Sequence, residues 1–314
     1  MNVASVSLDL DNLWAYLKTH GDPAWQRMPS FLPAATPRLL EVFGEHGLTT
    51  TVFVVGADAE RDDGAAAVAA IAAAGHEVAN HSYGHEPWLH RYSRAEVEAE
   101  VVRTEDAITA AGAPRPVGFR GPGYSVTADL LAVLAERGYR YDASTLPTWI
   151  GPLARYYHNR TAPSTTDSDE LFGGFDRVRA PNRAYRWDTG PVELPVTTMP
   201  LLRVPIHGSY LVRLHQVSPA LARGYFRAAL RLCRLRGVSP SLLLHPTDVL
   251  GAADAPGMEF FPGMAVPATR KVELLGWVLD ALRAHFAVVG TGEHVARLGA
   301  DLRVRPVERL ERAG

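Results

Sequence analysis

Apolar residues alternate along Val3 to Leu10 (VASVSLDL), a run that predicts a buried strand ending at Asp9-Leu10-Asp11. The segment Ala15 to Pro33 breaks the pattern with Gly21, Pro23, Pro29 and Pro33 and reads as a loop. Helical spacing returns from Pro37 to His46 and stops at Gly47. Thr50 to Val55 (TTVFVV) reads as a strand, Gly64 to Ala74 as an Ala-rich helix, and His76 to Asn80 as a short strand leading into His81. Ser93 and Glu96 form a capping box for a helix to about Ala111. Further along, strands are expected at Val117–Phe119 and Tyr139–Tyr141, with a helix from about Ala128 to Arg137 between them. Ser218-Pro219 opens a helix ending near Gly237. A strand at Ser241–Leu244 follows, then a helix near Thr269–His285, a strand at Phe286–Val289 and a helix near Glu293–Leu298.

Strands alternating with helices imply a parallel sheet or an α/β barrel. No period of solenoid length is visible. The stretch 146–191 has weak periodicity and many Pro, Gly, Ser and Thr residues, so it is read as a loop-rich insertion or lid. Polar residues gather at the strand ends: Asp9 and Asp11, His81 and His85, Arg120, Asp142 and His245 each follow or close a predicted strand. In α/β barrels the loops after the strands build the active site. Five strand ends feeding one rim is a stronger signal than any single motif.

Composition changes this picture little. The 314 residues are 47% hydrophobic and 21% charged, an ordinary globular balance that fits one large α/β domain or two small ones. A net charge of −2 gives no general attraction to nucleic acid. Cys233 is alone, so no internal disulfide forms, and its helical setting favours packing over nucleophilic chemistry. With no signal peptide recognised and no apolar run long enough to span a bilayer, the expected location is cytoplasmic. One local charge feature stands out. Between Glu193 and Asp248 there is no Asp or Glu, while Arg203, Arg213, Arg223, Arg227, Arg231, Arg234 and Arg236 all lie there. The Arg-rich 203–236 region is read either as a peripheral contact with an anionic membrane face or as a barrel helix with a solvated Arg face.

The chemistry starts from His81-Ser82-Tyr83-Gly84-His85. Two imidazoles four residues apart can grip one ion, with Gly84 expected to supply the tight turn. Asp11 is the natural third ligand, which leaves a coordination position open. Asp9 lies two residues back on the same strand face and can take a proton. An isolated Asp-x-Asp more often caps a loop than serves a site; the histidines at their own strand end favour the site here. Arg120 is expected to hold Asp9, and an N–H of the Gly121-Pro122-Gly123 loop, that of Gly123, to meet a developing oxyanion. His245, after Leu242-Leu243-Leu244, is placed as a general acid with Asp142 supporting its imidazole. Trp14, Trp88 and Tyr124 lie close to these motifs and are candidate stacking platforms for a substrate or simple packing residues. His207 is a candidate substrate contact.

Together these motifs resemble the polysaccharide deacetylase family, also called NodB-homology or carbohydrate esterase 4. Asp9 and Asp11 match its base and metal aspartates, in a separated Asp-x-Asp form. His81 to His85 match its His-Ser/Thr-x-x-His motif, Arg120-Gly121-Pro122 its Arg-x-Pro, Asp142 its fourth-motif Asp, and Leu243-Leu244-His245 its Leu-x-His. GFRGPGYS, GYRYDAST, ELPVTTMPLL and LLLHP resemble the branch found with bacterial exopolysaccharide clusters. The resemblance implies one domain over residues 1–314 with the insertion at about 146–191, folded as an irregular (β/α)7 barrel. It also implies metal-assisted removal of an N-acetyl group from an amino sugar. Zinc is the default ion, with cobalt, nickel or iron suited to the same ligands. The separated aspartate pair also occurs in relatives that deformylate lipid-linked sugars or cleave cyclic ureides and imides. A catalytically silent carbohydrate-binding relative is the alternative of another class.

Overall fold

The computed structural model describes residues 2–150 and 180–311. Strand β1 (Val3–Asp9) is buried from Ala4 onward. Its alternation sorts two environments. Ala4, Val6 and Leu8 join the main apolar core, while Ser5, Ser7 and Asp9 are buried polar residues on the other face. Helix α1 (Leu13–His20) follows immediately, capped by the Asn12 side chain and ended by Gly21 at φ 84°. Helix α2 (Leu32–Glu45), strand β2 (Thr51–Val54), the short helix α3 (Gly56–Ala59) and helix α4 (Asp62–Ala73) come next. Strand β3 (Glu77–Asn80) leads through the histidine motif to helix α5 (Arg94–Ala110), which starts with the Ser93–Glu96 capping box. Strand β4 (Gly118–Phe119), helix α6 (Ala128–Glu136) and strand β5 (Tyr141–Asp142) complete the first half.

After residue 180 the chain forms β6 (Tyr185–Trp187), β7 (Val192–Glu193), α7 (Gly208–Val217) and α8 (Pro219–Arg236). Strand β8 (Ser241–Leu244), helix α9 (Ala268–Arg283), strand β9 (Ala287–Val289), helix α10 (Thr291–Ala296) and strand β10 (Val304–Arg305) follow.

The strands run β10-β6-β7-β5-β4-β3-β2-β1-β8, with β9 pairing β1. All the pairings are parallel except β6 with β7. The segment after β7 then bridges to β8: Thr197 N donates to Ser241 O at 3.0 Å, and Ser241 N donates to Thr197 Oγ1 at 2.8 Å. This joins β1, β2, β3, β4, β5, β7 and β8 into a ring, the irregular (β/α)7 barrel, with β6 and β10 outside it on the β7 edge. An apolar cluster of Phe53, Ala79, Tyr141, Ala143 and Val192 draws on successive ring strands. Helices α2, α4, α8 and α9 pack their apolar faces on the outer side.

Three local expectations are corrected. The segment read as a loop from Ala15 to Pro33 holds most of α1, a 3-10 turn at Pro23–Arg27 and the start of α2. Asn12 explains this: its Oδ1 accepts from Leu13 N and from Phe31 N, so one side chain starts the helix and fixes the returning chain. Second, Gly84 does not supply the left-handed turn in the histidine motif; Ser82 (φ 58°) and His85 (φ 44°) do. Third, the expected insertion at 146–191 contains β6, whose Tyr185 and Trp187 are buried; residues 151–179 of it lie outside the described residues. On α8, Arg223 and Arg227 lie 5.4 and 5.1 Å from the Trp277 ring of α9, as in a helix packed on the barrel. No helix among the described residues is long and apolar enough to cross a membrane.

Candidate active site

Parallel pairing sets the site geometry. Leu8 pairs with Leu244, and Asp9 with Phe53, so Asp9 and His245 leave the sheet side by side. β2 and β3 are paired through Val54 and Asn80, which brings His81 to the same end of the barrel. Asn80 caps the turn that follows: its Oδ1 accepts from Ser82 N at 2.9 Å, while its Nδ2 donates to Val101 O and to Tyr139 Oη. Glu100 on α5 holds the next two residues, accepting from Tyr83 N and Gly84 N at 2.8 Å each.

Asp11, His81 and His85 converge, with one ligand atom of each within 4.8 Å of the others. His85 Nε2 is 3.1 Å and His81 Nε2 3.3 Å from Asp11 Oδ1. His81 Nδ1 donates to Arg120 O at 2.6 Å, which fixes the tautomer and leaves the Nε2 lone pair facing the cluster. One carboxylate and two imidazole Nε2 atoms, with no fourth side-chain ligand in the cluster among the described residues, fit an open catalytic ion site. Burial alone would raise the Asp11 carboxyl, but His85 and His81 hold it well below the usual carboxylate range. Burial also pulls His81 down, and the charges of Asp9 and Asp11 outweigh that and raise it. Without an ion the cluster therefore favours a proton that metal binding displaces.

Arg120 is fully buried. Its Nη1 donates to Asp9 Oδ1 at 2.5 Å and to Ser7 Oγ at 3.0 Å, its Nε donates to Ala143 O at 2.9 Å, and its guanidinium lies 4.1 Å from the Phe53 ring centre. The Asp9 carboxylate is thus clamped beside the His81 imidazole, 3.9 Å away.

Asp142 is not the partner of His245. Ser144 Oγ donates to Asp142 Oδ1 at 2.5 Å, and the carboxyl lies against Glu193 on the neighbouring strand. Burial, and then the Asp142 charge, hold the Glu193 carboxyl well above its ordinary range. The cause is register: Asp142 pairs with Glu193 in the sheet, inside the strand rather than past its end. The His245 imidazole instead has Ser209 Oγ at 3.3 Å from Nδ1, and Asp248 accepts from the His245 N–H at 2.9 Å.

The remaining candidates divide. Trp14 is buried at 2% exposure, donates to Asp58 Oδ1 at 2.9 Å and meets His85 edge-on. It packs behind the cluster and opens no face to a sugar. Trp88 is half-buried on the loop after the histidine motif. Gly123 (φ 59°) and Tyr124 (φ 61°) form a tight turn after Pro122. Burial, then Asp9, raises the Tyr124 phenol, with Asp11 and Asp248 adding to it, so this side chain feels the acidic residues of the site. His207 caps α7, with its ring 6.3 Å from that of His245. Burial, and then His245, push the His207 imidazole down to about 3 and keep it neutral. Ser209, Asp248, Ser7 and Glu193 escaped the sequence reading. The Asp three residues after His245 and the Ser behind His207-Gly208 were visible, but their meeting is not a local pattern.

A polysaccharide deacetylase family profile matches residues 22–141, a span that holds His81, His85 and Arg120 but starts after Asp11 and ends before His245. The chain is 36% identical over 107 residues to a chitooligosaccharide deacetylase of Sinorhizobium fredii, covering 34% of this chain and 48% of that one. A chitooligosaccharide deacetylase of a Bradyrhizobium species is 37% identical over 108 residues, with the same coverages of 34% and 48%. The chain thus spans about half the length of the curated relatives it matches. A solved Mycobacterium smegmatis structure, described as a candidate polysaccharide deacetylase, superposes with a TM-score of 0.60 at 22% identity. It covers 94% of this chain and 90% of that one, and shares the fold.

Proposed function

We propose that the chain is a member of the polysaccharide deacetylase family of NodB-type carbohydrate esterases, and that it removes the N-acetyl group of an amino sugar by metal-assisted amide hydrolysis. The observation that carries this reading is the convergence of Asp11, His81 and His85 beside an Asp9 clamped by buried Arg120. Asp11, His81 and His85 would hold the ion. A divalent ion there, zinc by default for these ligands, supplies a Lewis acid for the amide carbonyl and for water.

The chain's own residues supply the rest. Asp9 is the base: Arg120 fixes the carboxylate and leaves its second oxygen free to take a proton from water. His245 leaves the adjacent strand and gives a proton to the departing nitrogen. The N–H of Gly123 meets the oxyanion, and Tyr124 closes the rim. The names of the curated relatives, chitooligosaccharide deacetylases, favour N-acetylglucosamine oligomers as the first substrates to test.

The experiment is mass spectrometry of acyl loss from N-acetylchitooligosaccharides, a formamido sugar and a cyclic ureide, with the protein reconstituted in zinc, cobalt, nickel or iron and with a chelator. Acetate release that stops with chelator, and falls at least roughly 10³-fold in His81→Ala, is expected. Turnover of the ureide alone, or equal turnover in His81→Ala, would sink the assignment.

A further inference from the structure

The site contains a serine and a carboxylate that the mechanism above leaves unused: the serine meets the imidazole that serves as the acid, and the carboxylate holds that serine and the backbone N–H of the same histidine. Asp248 is buried at 2% exposure. Its Oδ2 accepts from His245 N at 2.9 Å, and its Oδ1 accepts from Ser209 Oγ at 2.9 Å. Ser209 Oγ lies 3.3 Å from His245 Nδ1. We propose that Ser209 and Asp248 form the positioning pair for His245, fixing its Nδ1–H tautomer so that Nε2 faces the leaving nitrogen. The proposal rests on the reading of His245 as the general acid.

The tautomer follows from donor counting. A hydroxyl has one proton to donate and a carboxylate only accepts. Ser209 gives its proton to Asp248, so toward Nδ1 it can only accept, and Nδ1 must carry the hydrogen. Neither Ser209 nor Asp248 gains or loses a proton during turnover. His245 acts as the acid in its imidazolium form, with a proton on each nitrogen: Nε2 gives its proton to the leaving nitrogen, and the ring is left as the neutral Nδ1–H tautomer that Ser209 and Asp248 favour.

The surroundings are built for this contact. Ser209 lies in the first turn of α7, whose N-terminal end carries partial positive charge and suits a carboxylate. The residue before it is Gly208, where a Cβ would fall 2.0 Å from Asp248 Oδ2, so glycine lets the carboxylate lie against the helix start. From the other side, buried Lys271 on α9 donates to Thr247 O at 2.8 Å and Leu250 O at 2.6 Å, straddling Asp248 in sequence. Strand pairing with β1 then sets His245 beside Asp9. Among the described residues, Asp248, Lys271 and His207 lie around His245, with Asp9 on the neighbouring strand, and the Tyr16 and Tyr124 phenols feel the Asp248 charge. Asp142 is engaged with Ser144 and Glu193.

A purely structural role for Asp248, as a cap on the His245 turn, would lower stability without touching the ring. The test reads the ring directly. In protein labelled with 15N-histidine, long-range 1H–15N spectra of neutral His245 should show the Nδ1–H tautomer. Ser209→Ala and Asp248→Asn should move it toward the Nε2–H form that free imidazole side chains favour, and Ser209→Thr should keep the original signature. On N-acetylchitooligosaccharide, kcat should fall roughly tenfold to a hundredfold in Ser209→Ala, part of the 10²–10⁴ that a general acid supplies. KM should stay within about twofold and bound metal should be unchanged; Ser209→Thr should restore kcat.

An Nε2–H tautomer in the unmodified protein, or a signature indifferent to Ser209→Ala, overturns the pair. If the ring responds as expected while the unmodified protein hydrolyses no N-acyl sugar, the pair stands and the functional reading falls. If hydrolysis is intact and the ring does not respond, the functional reading stands and the pair falls.

Discussion

Asp9, Asp11, His81, His85 and Arg120 reach the site from the ends of three barrel strands, β1, β3 and β4, whereas His245 depends on a helix start and on a lysine from a second helix. The first corner is organised by charge. Arg120 and Asp9 pair inside the barrel, and Asp11 binds both imidazoles. The second corner is organised by shape: a glycine at one helix position and backbone carbonyls gripped by Lys271 let a carboxylate approach its partners. Strand register builds the ion corner with little help from distant residues. The acid corner requires the second half of the chain to fold back correctly.

This contrast predicts where each corner breaks. The largest effect is expected from Arg120→Met, which leaves buried Asp9 without its counter-charge. Urea unfolding should show a loss of roughly 3–5 kcal/mol, with turnover falling in parallel. A loss below about 1 kcal/mol would mean that water, not Arg120, compensates Asp9.

The corners should also respond to pH with opposite sign in metal-free protein. His81 is held above its ordinary value, so its contribution to stability is complete below about pH 6.5 and is lost as pH rises through the folded value. His207 is pushed down to about 3 by burial. Its cost appears as pH falls below about 6.5, where the unfolded chain takes a proton that the fold refuses, and reaches roughly 2 kcal/mol by pH 5. Urea midpoints at pH 5 and pH 7 should show His207→Asn, which keeps a helix cap, losing less on acidification than the unmodified protein. His81→Asn should lose more. Shifts of the same sign in both variants would remove the contrast.

The smallest effect is expected from Gly208→Ala. Its methyl must displace the Asp248 carboxylate, at a cost of about 1–3 kcal/mol. Turnover should fall while metal content, read by elemental analysis, stays unchanged. Loss of metal in this variant would show that the two corners are coupled.

The same division explains what the sequence disclosed. Alternation along Val3–Asp9 and the histidine spacing are local, and so were open to reading. So were the Ser93–Glu96 capping box and the stop at Gly237 (φ 61°). The register that pairs Asp142 with Glu193 is not local, and it separated Asp142 from the role its position suggested. Trp14 sits two residues past the Asp9-Leu10-Asp11-Asn12 run and was open to reading as a platform or as packing. Its burial is decided by Asp58, which lies on another element and accepts the indole N–H. Helix α1 was hidden because a dense run of prolines and glycines outweighed one asparagine, although that asparagine ties down both ends of the segment.

Two non-glycine residues, Ser82 and His85, hold the left-handed backbone of the histidine loop, and Glu100 pins the two amides between them. That conformation is uphill by roughly 1–2 kcal/mol per residue, and the hydrogen bonds from Asn80 and Glu100 offset it. Position 85 is therefore held by two residues outside the loop, and a change at Glu100 acts on the histidine through the backbone rather than through its ring.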